Sequence, residues 1–140
     1  MGNTHTYLLN NLFRLQKQAI RKICKLPYLA HTSPHFNRLG ILSIFELVSY
    51  QLAIFMFRFY HRHLPNIFDC FFYSNSVYHS YNTRTKGNLH TPLPRTRIMQ
   101  SQVRCAGVKL WNSLPKSIKS PCSLFVFKKK IKVYISNHKP

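Results

Sequence analysis

Glu46 and Asp69 are the only two carboxylate side chains in the chain, against 21 Lys plus Arg and eight His. That ratio decides most of the chemistry within reach. Phosphoryl and nucleotidyl transfer place two divalent ions on clustered carboxylates beside the attacking and leaving oxygens, and two acids far apart in sequence make a poor cage for them. A glycosidase built on a carboxylate pair fails on the same count. The glycines, Gly2, Gly40, Gly87 and Gly107, form no G-x-x-x-x-G-K phosphate loop. Cys24, Cys70, Cys105 and Cys122 include no C-x-x-C pair, and Cys70 with His79 has no zinc-finger spacing. We therefore expect no catalytic residue, no metal and no cofactor.

The cations carry the remaining chemistry. The formal net charge is +19, and a compact domain under that self-repulsion is relieved by a polyanion. Phosphate chains suit it best, because each neutralised phosphate releases condensed counterions. An anionic membrane surface is the second candidate, and a plain solvated basic surface is the bland one. The candidate phosphate contacts are Arg14, Lys17, Arg21, Lys22 and Lys25 in a first helix, Arg84, Lys86, Arg95 and Arg97 in a central loop, and Lys128, Lys129, Lys130 and Lys132 in a last helix. Tyr78 and Tyr81 are candidates to stack on unpaired bases. Trp111, set between Leu110 and Leu114, is expected in the core instead.

Hydrophobic spacing places these residues on elements. Over 7–26, Leu8, Leu12, Leu15, Ala19 and Ile23 recur at helical steps, with Arg14, Lys17, Arg21 and Lys25 opposite and Pro27 as the stop. The expectation is one side toward a core and one toward anions. Ser33-Pro34 opens a short helix stopped by Gly40. Ser43 and Glu46 have capping-box spacing before a helix from Ile44 to His63, which makes Glu46 a cap and not a base. That helix is apolar nearly all round, as a central helix is, or as one partly covered by another domain. From 73 to 100 the periodicity fades and Pro92 and Pro94 forbid a regular helix. One or two short strands fit Thr96 to Val103. Ala106 to Leu114 and Ser123 to Ser136 read as helices, the latter with Leu124, Phe127, Ile131 and Ile135 on one face. The fold expected is mainly α: a small helical domain with a long irregular central loop. It is read as one basic domain over 1–140, with a helical part at 7–72, a basic loop at 73–104 and a C-terminal helical part at 105–137.

The apolar run from Leu47 to Phe57 is shorter than the roughly 20 residues a bilayer-spanning helix needs. The start shows no secretory signal, so an intracellular location, in nucleus or cytoplasm, is expected. Gly2 and Thr6 fit the myristoylation pattern M-G-x-x-x-[ST], which keeps a membrane-surface protein as an alternative ranked below nucleic-acid binding.

Several ordered segments point further. They are Leu15 to Ile23, Tyr28 to Pro34, Leu39 to Leu42, His79 to Arg84, Gly107 to Pro115 with Ile118, and Ser123-Leu124 followed by Phe127 to Lys132. In that order they resemble the region after the polymerase domain in jockey-like and related non-LTR retrotransposon reverse transcriptases. The resemblance covers residues 8 to 136. It implies a non-catalytic tail beside the polymerase thumb, with RNA or an RNA–DNA hybrid and the polymerase domain as partners. The family's Ala-Asp-Asp metal-binding box has no counterpart here, so its RNA-directed DNA synthesis does not carry over. A scaffold role, with the apolar surface of Ile44 to Tyr60 docked on a polymerase domain and the charge secondary, is the alternative.

Overall fold

The computed structural model describes residues 6–78, 84–120 and 123–137. The fold is mainly α, with helices α1 Thr6–Ile23, α2 Ser33–Arg38, α3 Ile44–Tyr60, α4 Asn75–Tyr78, α5 Arg97–Ser101, α6 Val103–Ser113, α7 Lys116–Lys119 and α8 Leu124–Asn137, and a 3-10 turn at Asn66–Phe68. Among the described residues, β pairing is limited to one isolated antiparallel bridge, Ser74 to Leu89.

Helix α3 is the axis of the core. Its Ala53, Met56 and Phe57 are fully buried, and they meet Val108 and Trp111 of α6 and Phe127, Ile131 and Ile135 of α8. Phe57 stacks on Phe127 with ring centroids 4.3 Å apart. Gly107 lets α6 come close: a Cβ there would lie 2.9 Å from Met56 Sδ. The near-continuous apolar character of α3 thus finds most of its cover inside the chain, from α6, α8 and Phe72, while Leu47 and Tyr60 stay exposed. The α8 stripe Phe127, Ile131, Ile135 is buried as its spacing indicates.

Start and stop chemistry fixes the helix ends. Ser43 N–H donates to Glu46 Oε2 at 2.7 Å, and Glu46 N–H donates to Ser43 Oγ at 3.4 Å. This is the capping box, and it spends the buried Glu46 carboxylate on the start of α3. Three helices end in the same doubled turn, in which the third residue past the helix reaches back five positions and the one before it three. The bonds are Leu26 N–H to Arg21 O and Lys25 N–H to Lys22 O after α1, Ile41 N–H to Phe36 O and Gly40 N–H to Asn37 O after α2, and His63 N–H to Arg58 O and Arg62 N–H to Phe59 O after α3. The left-handed position of each falls on Lys25 (φ 50°), Gly40 (φ 62°) and Arg62 (φ 56°). Two of the three therefore carry a Cβ where glycine is favoured. Arg62→Gly is expected to raise stability by about 0.5–1 kcal/mol, read as a higher urea midpoint at unchanged slope. A lower midpoint would show that the Arg62 side chain stabilises the fold by more than its backbone strain costs.

Two expectations from the sequence are corrected. The segment around Thr96 to Val103 holds no strand: 97–101 is α5, capped by Thr96 Oγ1, which accepts from Met99 N–H at 3.3 Å. A side-chain oxygen supplied at the N-cap outweighs the β-type composition of Ile98 and Val103. The central stretch is also tied down. The Asn112 side chain of α6 accepts from Leu89 N–H at 3.2 Å and donates to Leu89 O at 2.8 Å.

The second correction concerns α1. Its Leu8, Leu12, Leu15, Ala19 and Ile23 stripe does not face the core; Leu15 is 60 % and Ile23 65 % exposed. The docked face is turned by roughly a quarter of the helix circumference and consists of Phe13, Gln16 and Ile20. Phe13 meets Phe36 and Phe45 at ring-centroid distances of 6.0 and 5.5 Å. Gln16 donates to Leu42 O at 2.8 Å and accepts from Ile44 N–H at 3.0 Å, satisfying the turn between α2 and α3. One wall can bury only one stripe. The aromatic contacts and the two backbone bonds that Gln16 satisfies set this one against it.

Candidate nucleic-acid interface

The third face of α1 carries the cations. Positions 14, 17 and 21 follow one another at steps of three and four, so their side chains rise along one ridge. Arg14, Lys17, Gln18 and Arg21 line an open groove of about 410 Å³ whose far wall is Tyr28. The turn after α1 brings Tyr28 there: Lys25 reverses the chain in the left-handed conformation, Pro27 follows, and Ala30 N–H donates to Pro27 O at 3.1 Å.

The groove's side chains are braced. Arg21 Nε–H donates to Ala30 O at 3.2 Å, and its guanidinium carbon lies 5.9 Å from the Tyr28 ring centroid. Lys17 Nζ sits 4.2 Å from the Phe13 centroid. The Phe13 ring is fixed by Phe36 and Phe45, and such cation–π seating reduces the ordering that an anion would otherwise have to impose. Neither acid lines the groove. The three cations present an uncompensated positive surface for phosphate oxygens, with Arg14 and the terminal nitrogens of Arg21 suited to two-pronged contacts.

The structure gathers some of the sequence candidates and separates others. Arg14, Lys17 and Arg21 share the groove. Lys22 and Lys25 are exposed on the same helix and its cap but do not line it. Arg84, Lys86, Arg95 and Arg97 are exposed along the central stretch, apart from the groove lining. On α8, Lys129, Lys130 and Lys132 are exposed and Lys128 is half-buried; Lys129 rests over Phe125 and Lys130 donates to Ser117 O. Tyr81 lies outside the described residues, as does Gly2, and the Tyr78 side chain is likewise not described. Trp111 is core, its ring tilted against those of Tyr60 and Phe127.

Sequence reasoning missed Tyr28 and Gln18 as groove residues. A tyrosine directly after a proline was the available signal, but nothing local says which helix face it returns to. Lys119 is a cation the structure turns inward: it donates to Asn112 O and lies over Trp111, and burial, with Lys116 adding to it, holds its ammonium below the usual lysine pKa. Among the described residues no three His, Cys, Asp or Glu gather around one point, and no helix is long and apolar enough to cross a membrane.

Compared with protein-family models, with curated proteins and with solved structures, the chain gives no match.

Proposed function

We propose that this chain is a non-catalytic nucleic-acid-binding module that holds the backbone of RNA or of an RNA–DNA hybrid without reading its sequence. One observation carries the reading: Arg14, Lys17 and Arg21 converge on a single open groove, braced by aromatic rings and free of carboxylates. Backbone contacts of this kind position a strand and carry no base information. The net charge of +19 strengthens the attraction over the whole surface. The sequence resemblance to the post-polymerase region of non-LTR retrotransposon reverse transcriptases agrees with this reading, and makes a polymerase domain the expected neighbour in a longer protein.

The experiment is a salt titration. Fluorescence anisotropy with a short single-stranded RNA is expected to give an affinity that falls with log salt at a slope of about −2 or steeper, the value for three neutralised phosphates. A flat response would remove the phosphate mode. It would shift weight to the second reading, a scaffold, which rests on the unpacked Leu8, Leu12, Leu15 and Ile23 stripe of α1. That stripe and the cationic ridge point to different sides of α1, so one helix can serve both surfaces.

A further inference from the structure

We infer that the α1 groove takes an unpaired nucleotide, with a base stacked on the open face of Tyr28 and its phosphates on Arg14 and Lys17; this rests on the nucleic-acid reading above. The starting point is the condition of Tyr28. Its side chain is 77 % exposed although it forms a wall of the groove. A tyrosine that left would lose little packing, so burial does not explain its placement. One neighbour does hold it: the Arg21 guanidinium, tied back to Ala30 O at 3.2 Å and 5.9 Å from the ring centroid. Arg21 covers one side of the ring, and the rest is open to the groove.

A planar cation beside one side and free space beside the other is a ready stacking platform. Every nucleobase has a π face, so such a platform binds bases without selecting among them. The phosphate ligands lie along the same groove, on Arg14 and on Lys17, whose ammonium keeps three donors while seated on Phe13. Gln18, exposed in the groove lining, offers both a donor and an acceptor to a sugar hydroxyl or a base edge. A regular duplex presents phosphates to such a groove but keeps its base faces stacked within the helix, so it can use the cations and not Tyr28. The ligand class is therefore a single strand, or the single-stranded end or bulge of a larger RNA.

The test compares three probes on the full chain: fluorescein-labelled oligouridylate RNA, an abasic strand of the same length and charge, and a duplex of the same length. The wild-type chain is expected to bind the oligouridylate about tenfold more tightly than the abasic strand. Tyr28→Ala is expected to lose that preference and keep its abasic affinity, while Tyr28→Phe keeps the preference. Far-UV circular dichroism of each variant checks the fold, which the exposed position of Tyr28 should leave unchanged. Equal wild-type affinity for the oligouridylate and abasic strands overturns the inference while leaving phosphate binding in place. A preference that survives in Tyr28→Ala also overturns it, by placing the stacked base elsewhere. Binding of none of the three probes removes the nucleic-acid reading with it.

Discussion

Replacing Phe57 by Ala is expected to cost about 3–5 kcal/mol and to leave the chain largely without fixed tertiary structure at low salt. Phe57 is fully buried in the last turn of α3, stacked 4.3 Å from Phe127 and tilted against the His61 ring at 4.2 Å. It therefore joins α3, α8 and the turn that follows α3 in a single contact set. Removing it opens a cavity among residues that belong to separate helices, and neither helix can move in without losing its contacts with α6. Domains of this size hold on the order of 5–15 kcal/mol in total, and here mutual repulsion among the cations opposes folding as well. Salt should therefore restore part of the lost stability by screening. Near-UV circular dichroism reads the loss directly, because Trp111 lies 6.2 Å from Phe127 and shares the environment. Phe57→Leu, which keeps most of the volume, is expected to lose less than half as much. An Ala variant with the wild-type urea midpoint would show that α3 and α8 are not held together through this pair.

The second large effect is on binding. Removing Arg14, Lys17 and Arg21 together, each to Ala, is expected to weaken single-stranded RNA on the order of 100-fold near physiological salt, since each phosphate loses a charge-assisted hydrogen bond. The fold should persist: Arg14 is exposed, Lys17 and Arg21 only half-buried, and the docked face of α1 is carried by Phe13, Gln16 and Ile20. A matched variant lacking Arg84, Arg95 and Arg97 removes the same charge from the central stretch, where those side chains are exposed and outside the groove lining. Its expected loss is below tenfold, the share of a general field without a built site. Equal losses in the two variants would mean that net charge, not the groove, holds the strand.

How far the sequence revealed this arrangement differs from element to element, for physical reasons. The α3 capping box was legible because Ser43 and Glu46 are three residues apart and satisfy each other locally. The buried stripe of α8 was legible because Phe127, Ile131 and Ile135 have no rival apolar face of equal strength. Helix α1 had two rival faces. The leucine stripe is the more regular one, but docking is decided by Phe36, Phe45 and the Leu42–Ile44 backbone, which lie elsewhere in the chain. The ends of α1 and α3 were read a few residues late because Lys25 and Arg62 stand where glycine would have announced a left-handed stop. The same turn hides the candidate site. Arg14, Lys17 and Arg21 could be read as a cationic ridge from spacing alone, whereas Tyr28 joins them only through the reversal at Lys25 and the bond from Arg21 to Ala30. The clamp of Asn112 on Leu89 was invisible for a similar reason, since its two partners sit 23 positions away.

The groove's part in gripping phosphate is tested most directly by titrating salt against the wild-type chain and the variant lacking Arg14, Lys17 and Arg21, side by side with one single-stranded RNA. The expected result is a pair of lines of unequal slope, the variant shallower by about 2 on the double-logarithmic plot. Parallel lines, at whatever spacing, would contradict the account, because they would show that these three side chains displace no counterions when RNA binds.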